Sequence, residues 1–166
     1  MFDFHNYFKQ IAVSHKQIAH TPEKPAFFRE FSASKVMFNL SDFFTHQAEH
    51  ARNILIYQSN DEGNLSGVNA DTTFRTKIIT LYLLRKVEYN NHEHIELANA
   101  ELETIFDDIF SKMKRDRNND LIPLTTKLNS FTVNSLGMIA DSYFGLVINL
   151  RVDMPYSPKF FADRWI

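Results

Sequence analysis

The sequence predicts an α+β domain: a mostly antiparallel sheet packed by a long amphipathic helix over residues 91–117 and by an N-terminal helix over residues 2–20. Three runs carry that reading. Ile95, Ala98, Leu102, Ile105, Phe106, Ile109, Phe110 and Met113 recur at spacings of three and four, the period of one helical face. Phe74–Val87 alternates as a long strand, and Phe144, Leu146, Ile148, Leu150 and Val152 alternate with Gly145, Val147, Asn149, Arg151 and Asp153 as a second. A sheet and a helix that each present an apolar face bury those faces against one another, and so one layer of each is expected.

Taken in order, Phe4, Phe8, Ile11, Ala12, His15, Ile18 and Ala19 keep helical spacing as far as Thr21 and Pro22. Lys9-Gln10-Ile11-Ala12 returns one heptad later as Lys16-Gln17-Ile18-Ala19, too few copies for a coiled coil. Pro25–Leu40, with Phe27, Phe28, Phe31, Val36, Phe38 and Leu40, suits two short strands or one bent strand. Ser41 and Asp42 suit either the cap of a short helical turn through Phe43–Ala51 or an irregular loop, and Ile54, Leu55, Ile56 and Tyr57 mark a strand over Asn53–Gln58.

Ser59–Thr72 is polar and turn-rich, which predicts a long exposed loop. Both phases of Phe74–Val87 are apolar at mid-strand, so its centre is expected to be covered on two sides. Asn90 and Asn91 cap the long helix, whose charges run from Glu93, Glu96 and Glu101 to Lys112, Lys114, Arg115 and Arg117 as the helix dipole favours. Ser130–Asp153 returns to extended structure, interrupted at Gly137 and at Asp141-Ser142. Pro155 and Pro158 stop the last strand, dividing a domain over 1–154 from an aromatic C-terminal extension over 155–166.

Composition narrows the function classes. A chain of 166 residues suits one domain, and folding at this size removes roughly 70% of the unfolded surface from water. The 16 Phe residues supply aromatic core bulk. A net charge of -2 gives no footprint for nucleic acid or an anionic membrane, and no apolar run approaches a membrane span. With no cysteine, disulfides, thiolate metal sites and a cysteine nucleophile are all excluded. Met1–Phe8 lacks the basic and apolar segments of a Sec signal, so a soluble protein is expected.

The motif closest to chemistry is His46-Gln47-Ala48-Glu49-His50, which matches the H-x-x-E-H arrangement of inverted zinc peptidases. On a helix the two histidines share a face and can bind zinc, with Glu49 as general base. A catalytic zinc also needs a third ligand and a closed pocket, and the acids downstream, Glu96 and Glu101, read equally as a solvated helix face. His92 and His94, two apart, point away from each other on a helix, and His5, His15 and His20 fall on the first helix without forming a ligand set. The serines form no nucleophile elbow, the four glycines no phosphate cradle, and Lys112–Arg117 reads as a helix C-terminus. The expectation is therefore a protein that is not an enzyme and needs no cofactor; a zinc-dependent hydrolase using His46, Glu49 and His50 is one alternative, and a monomeric protein-binding adaptor is another.

The layout supplies a positive reading. A helix, short strands, a long polar loop, the strand Phe74–Val87, the amphipathic helix and closing strands ending in Asp141-Ser142-Tyr143-Phe144-Gly145-Leu146-Val147-Ile148-Asn149-Leu150 resemble tail terminator and tail-completion proteins of tailed phages and contractile injection systems. The resemblance covers roughly Met1–Asp153, and the aromatic C-terminus departs from it. It implies a non-catalytic virion protein of the tail or neck, assembled in the host cytoplasm, that forms a ring with copies of itself, most commonly a hexamer. Such a ring caps the tail tube and joins it to neck or connector proteins, without sequence-specific nucleic-acid recognition or a membrane. The polar loop and the tail lack an evident intradomain role, which makes Asp61, Asn64, Phe160, Phe161, Trp165 and Ile166 the candidate interface residues.

Overall fold

Alternating apolar residues on both faces make Phe74–Lys86 the spine of the sheet. In the computed structural model, which describes residues 2–30, 52–60, 65–66, 74–122, 131–139 and 142–155, the elements run α1 (Phe4–Ser14), β1 (Phe27–Glu30), β2 (Asn53–Asn60), β3 (Leu65–Ser66), β4 (Phe74–Lys86), α2 (His92–Asn118), β5 (Phe131–Ile139) and β6 (Tyr143–Pro155). The sheet order is β1-β2-β4-β6-β5, with β3 pairing separately to β4. Every described pairing is antiparallel except that of β1 with β2. The architecture is α+β, with a mostly antiparallel sheet, a long helix and an N-terminal helix, as the periodicities predict.

The longest ladder joins β4 to β6, from Phe74 opposite Pro155 to Lys86 opposite Tyr143. Ile79, Leu81 and Leu83 of β4 share one face, and Thr80, Tyr82 and Leu84 share the other; all six are buried. The first face lies under α2: Leu81, Ile148 and Leu150 meet Ile109 and Met113 there, and Phe131 of β5 packs 4.5 Å, centroid to centroid, from Phe110. Leu102 and Ile105 of α2 are fully buried, each side chain contributing about 1.5–3 kcal/mol by leaving water. The Asn91 side chain caps α2 by accepting from the His94 N–H at 3.2 Å, with Glu93 in the first turn and Arg115 and Arg117 in the last.

The first helix is shorter than its pattern predicts. Asp3 caps α1 by accepting from the Asn6 N–H, but the helix stops at Ser14, and His15 is extended. The chain then doubles back: His20 N–H donates to Ala12 O at 3.0 Å, and Ala19 takes a φ of 49°. Ile18 is buried all the same. Its seven-residue spacing from Ile11 thus reflects a shared core, not a continuous helix. His15 caps the helix end and His20 lies beyond it.

The exposed loop expected over Ser59–Thr72 is also broken up, because β2 runs on to Asn60 and Leu65–Ser66 pairs with the start of β4. The rest of that segment, the expected strand structure beyond Glu30, the turn over Phe43–Ala51 and the extension over 156–166 lie outside the described residues. Of the strand structure predicted over Pro25–Leu40, Phe27–Glu30 is β1. The two predicted interruptions near the end have distinct physical forms. At Gly137, with φ 69°, the β5–β6 register shifts, and at Ser142 the chain turns into β6. Gly145, on β6, faces Leu84; a Cβ there would stand 2.5 Å from Leu84 Cδ2, so only glycine leaves room for that core leucine.

Candidate functional site

The residues singled out from sequence do not come together in a described site. His46, Glu49 and His50 of the zinc motif lie outside the described residues, as do Asp61, Asn64, Phe160, Phe161, Trp165 and Ile166 of the candidate interface. His94 Nδ1 sits 3.4 Å from Glu88 Oε2 at the start of α2, and His92 is exposed beside it. Among the described residues no three His, Cys, Asp or Glu side chains group closely enough to hold a metal, and no described helix is long and apolar enough to cross a membrane.

A cationic cluster emerges instead where the segment after α1 meets the first residues of β2. A Thr21–Lys24 turn closes that segment: Thr21 N–H donates to Lys24 O, and Lys24 N–H donates to Thr21 Oγ1. Ala26 N–H donates to His20 Nδ1, and burial together with nearby Lys9 lowers the pKa of that imidazole, favouring the neutral acceptor form. Asn53 Nδ2 then ties Gln17 O to the sheet at 3.0 Å. The result is a cavity of about 380 Å³ whose lining includes Lys16, Lys24, Arg52, Asn53 and Glu101.

Glu101 is the hub of this cluster. Its carboxylate accepts from Asn53 Nδ2 at 2.9 Å and from Arg52 Nη2 at 3.1 Å, and pairs with the Arg85 guanidinium from beneath. The Arg85 and Glu101 side chains are only 12% and 17% exposed, whereas Arg52 is 70% exposed. Burial, then the charge of Arg52, lowers the pKa of Arg85, which stays cationic and depends on Glu101 for compensation. With both amide hydrogens of Asn53 engaged, its Oδ1 is a buried acceptor with no donor among the described residues. The sequence reading that placed Glu101 on a solvated helix face is corrected here. The available signal was Arg85, which keeps phase with the inward Ile79, Leu81 and Leu83 and so requires a carboxylate on the covering helix.

A second buried group joins the two helices. Asp116, near the end of α2, accepts from Tyr7 OH at 2.9 Å and from Lys112 Nζ at 2.8 Å. Burial by itself raises a carboxyl pKa; here the Lys112 and Tyr7 hydrogen bonds and the Lys112 and Arg115 charges outweigh it, holding Asp116 below its ordinary value. Burial, and then the bond to Asp116, pushes the Tyr7 hydroxyl the other way. A carboxyl depressed by folding contributes stability above the ordinary carboxylate pKa and loses it as pH falls through the folded value. The wild-type protein should therefore lose urea-unfolding stability below roughly pH 5, and Asp116→Asn should flatten that acid limb. An identical limb in the variant would remove Asp116 from the account.

The face of the sheet turned away from α2 carries a polar file beside its apolar end. Thr76 Oγ1 donates to Asp153 at 2.6 Å, Thr80 Oγ1 to Asn149 at 2.9 Å, and Tyr82 OH to Gln58 at 3.0 Å. At the sheet margin, β5 is paired only to β6 among the described strands, and Thr132, Val133, Asn134 and Ser135 are exposed. Its nine residues contain no charged side chain and no proline. The chain matches no protein-family model and no curated protein sequence.

Proposed function

We propose that this protein is a non-catalytic structural subunit that joins copies of itself through its sheet margin into a ring. In the manner of tail terminator and tail-completion proteins, the ring would cap a tail tube and join it to the neck of a virion. The observation that carries the reading is the outer edge of β5, which has no neighbour among the described strands and carries no charge. An edge strand presents a row of unpaired N–H and C=O groups, and folded proteins blunt it with lysine, proline or very short length. β1, at the opposite margin, is four residues long and contains Arg29 and Glu30; β5 is nine residues long, has no charge and no proline, and of the usual guards carries only the irregularity between Ser135 and Gly137. An edge that meets a different surface of the next copy gives a heterologous contact, which makes a ring when its rotation closes and a filament when it does not. The same layout of strands and helices that resembles tail terminators agrees with this use of the sheet.

The test is the mass in solution of wild type and of Val133→Lys, which places a charge on the exposed stretch of β5. Wild type should run as a ring, with a hexamer as the expected size, and Val133→Lys as a folded monomer with unchanged circular dichroism. A wild-type protein that stays monomeric or dimeric at high micromolar concentration, or a ring that survives the lysine, overturns the proposal.

A further inference from the structure

We propose that the cavity between the Thr21–Lys24 turn and the start of β2 binds a small phosphomonoester. Three cations line it, Lys16, Lys24 and Arg52, against the single carboxylate of Glu101, so the lining carries two positive charges in excess. Glu101 is engaged by Arg52, Asn53 and Arg85, so the two positive charges in excess are those of Lys16 and Lys24. No described carboxylate pairs with Lys16 or Lys24, although both are exposed at the cavity. Lysines left without a partner around one concavity repel each other, and an anion between them removes that repulsion.

The charge excess selects the ligand class. A phosphomonoester carries about -1.5 to -2 at neutral pH and matches it, whereas a carboxylate neutralises only half. The size agrees as well, since about 380 Å³ lies within the range of small-molecule pockets. Ile18 and Ala26, both buried, form an apolar wall for the organic part of the ester. Arg52 reaches the cavity with one side of its guanidinium held by Glu101, which makes Glu101 a positioning residue for the anion contact.

The test is calorimetric titration of the full chain with phenyl phosphate, and with benzoate as a monoanion of similar shape. Phenyl phosphate should bind in a salt-sensitive manner, and benzoate at least about tenfold more weakly. The Lys16→Ala/Lys24→Ala double variant should lose at least about tenfold in phenyl phosphate affinity at an unchanged unliganded melting temperature. Should the double variant melt early, Lys16→Ala and Lys24→Ala singly, each expected to weaken binding, decide in its place. No heat with millimolar phenyl phosphate, equal affinity for benzoate, or full affinity in the lysine variants overturns the proposal. None of these readings depends on whether the protein forms a ring.

Discussion

Glu101→Ala should cost about 3 kcal/mol of folding stability, at the lower end for breaking a buried ion pair because the cluster keeps some contact with water. The magnitude follows from what is left behind. Without the carboxylate, the Arg85 guanidinium stays on the helix-covered face, facing the like charge of Arg52. Asn53 also loses the acceptor of one amide hydrogen. A guanidinium cannot escape by losing its proton, so the variant bears the full penalty of an uncompensated charge. Removing both partners in Glu101→Ala/Arg85→Leu should restore part of the loss, because no charge is left to compensate and only the packing of the two smaller side chains is missing. Urea unfolding of the single and double variants provides the measurement. A single variant within about 1 kcal/mol of wild type would show that solvent already compensates Arg85.

Phe8→Ala should cost about 3–5 kcal/mol, a fall of roughly 10 °C in melting temperature for a chain of this size. Phe8 is fully buried and lies 5.4 Å from the Tyr7 ring and 5.8 Å from that of Tyr57 on β2. Truncation leaves a cavity between a helix and a sheet, and neither can close it without shifting its whole backbone. Val13, on the same helix but half exposed, provides the control: Val13→Ala should stay within about 0.5 kcal/mol. If Phe8→Ala cost no more than Val13→Ala, α1 would not be part of the cooperative core.

The parts of the fold legible in the sequence are those in which one period runs long enough to outvote local exceptions. The helix expected over Asn91–Arg117 is found at His92–Asn118, and the strand expected over Phe74–Val87 at Phe74–Lys86. Burial on both faces of that strand was legible for the same reason. The first helix misled because periodicity records which residues reach the core, not how the backbone carries them there. Ile18 arrives after a turn, and the left-handed Ala19 that helps to make the turn has no mark in the sequence. The cationic cavity was hidden because its residues come from four separate segments, and only the fold sets Lys16 and Lys24 beside Arg52 and Glu101. The edge of β5 was illegible in a different way. Its lack of charge reads as an ordinary strand until the sheet order shows which side has no described neighbour.

The place of β6 in the sheet bears on how the chain folds. It is the last described strand, yet it sits between β4 and β5, and its nearest pair with β4, Lys86 with Tyr143, spans the whole of α2. Contacts across so long a stretch meet their loop-closure entropy before they return any energy, which slows folding relative to local pairing. On the ribosome, β4 leaves the exit tunnel with one of its edges open and keeps it open until residues 143–155 follow. That leaves a long, largely apolar strand without its main partner for the time taken to make about sixty residues, several seconds at ordinary elongation rates. During those seconds the strand edge is most exposed to mispairing; α2, which can form on its own local contacts, covers the apolar face at Leu81 but leaves that edge to β6.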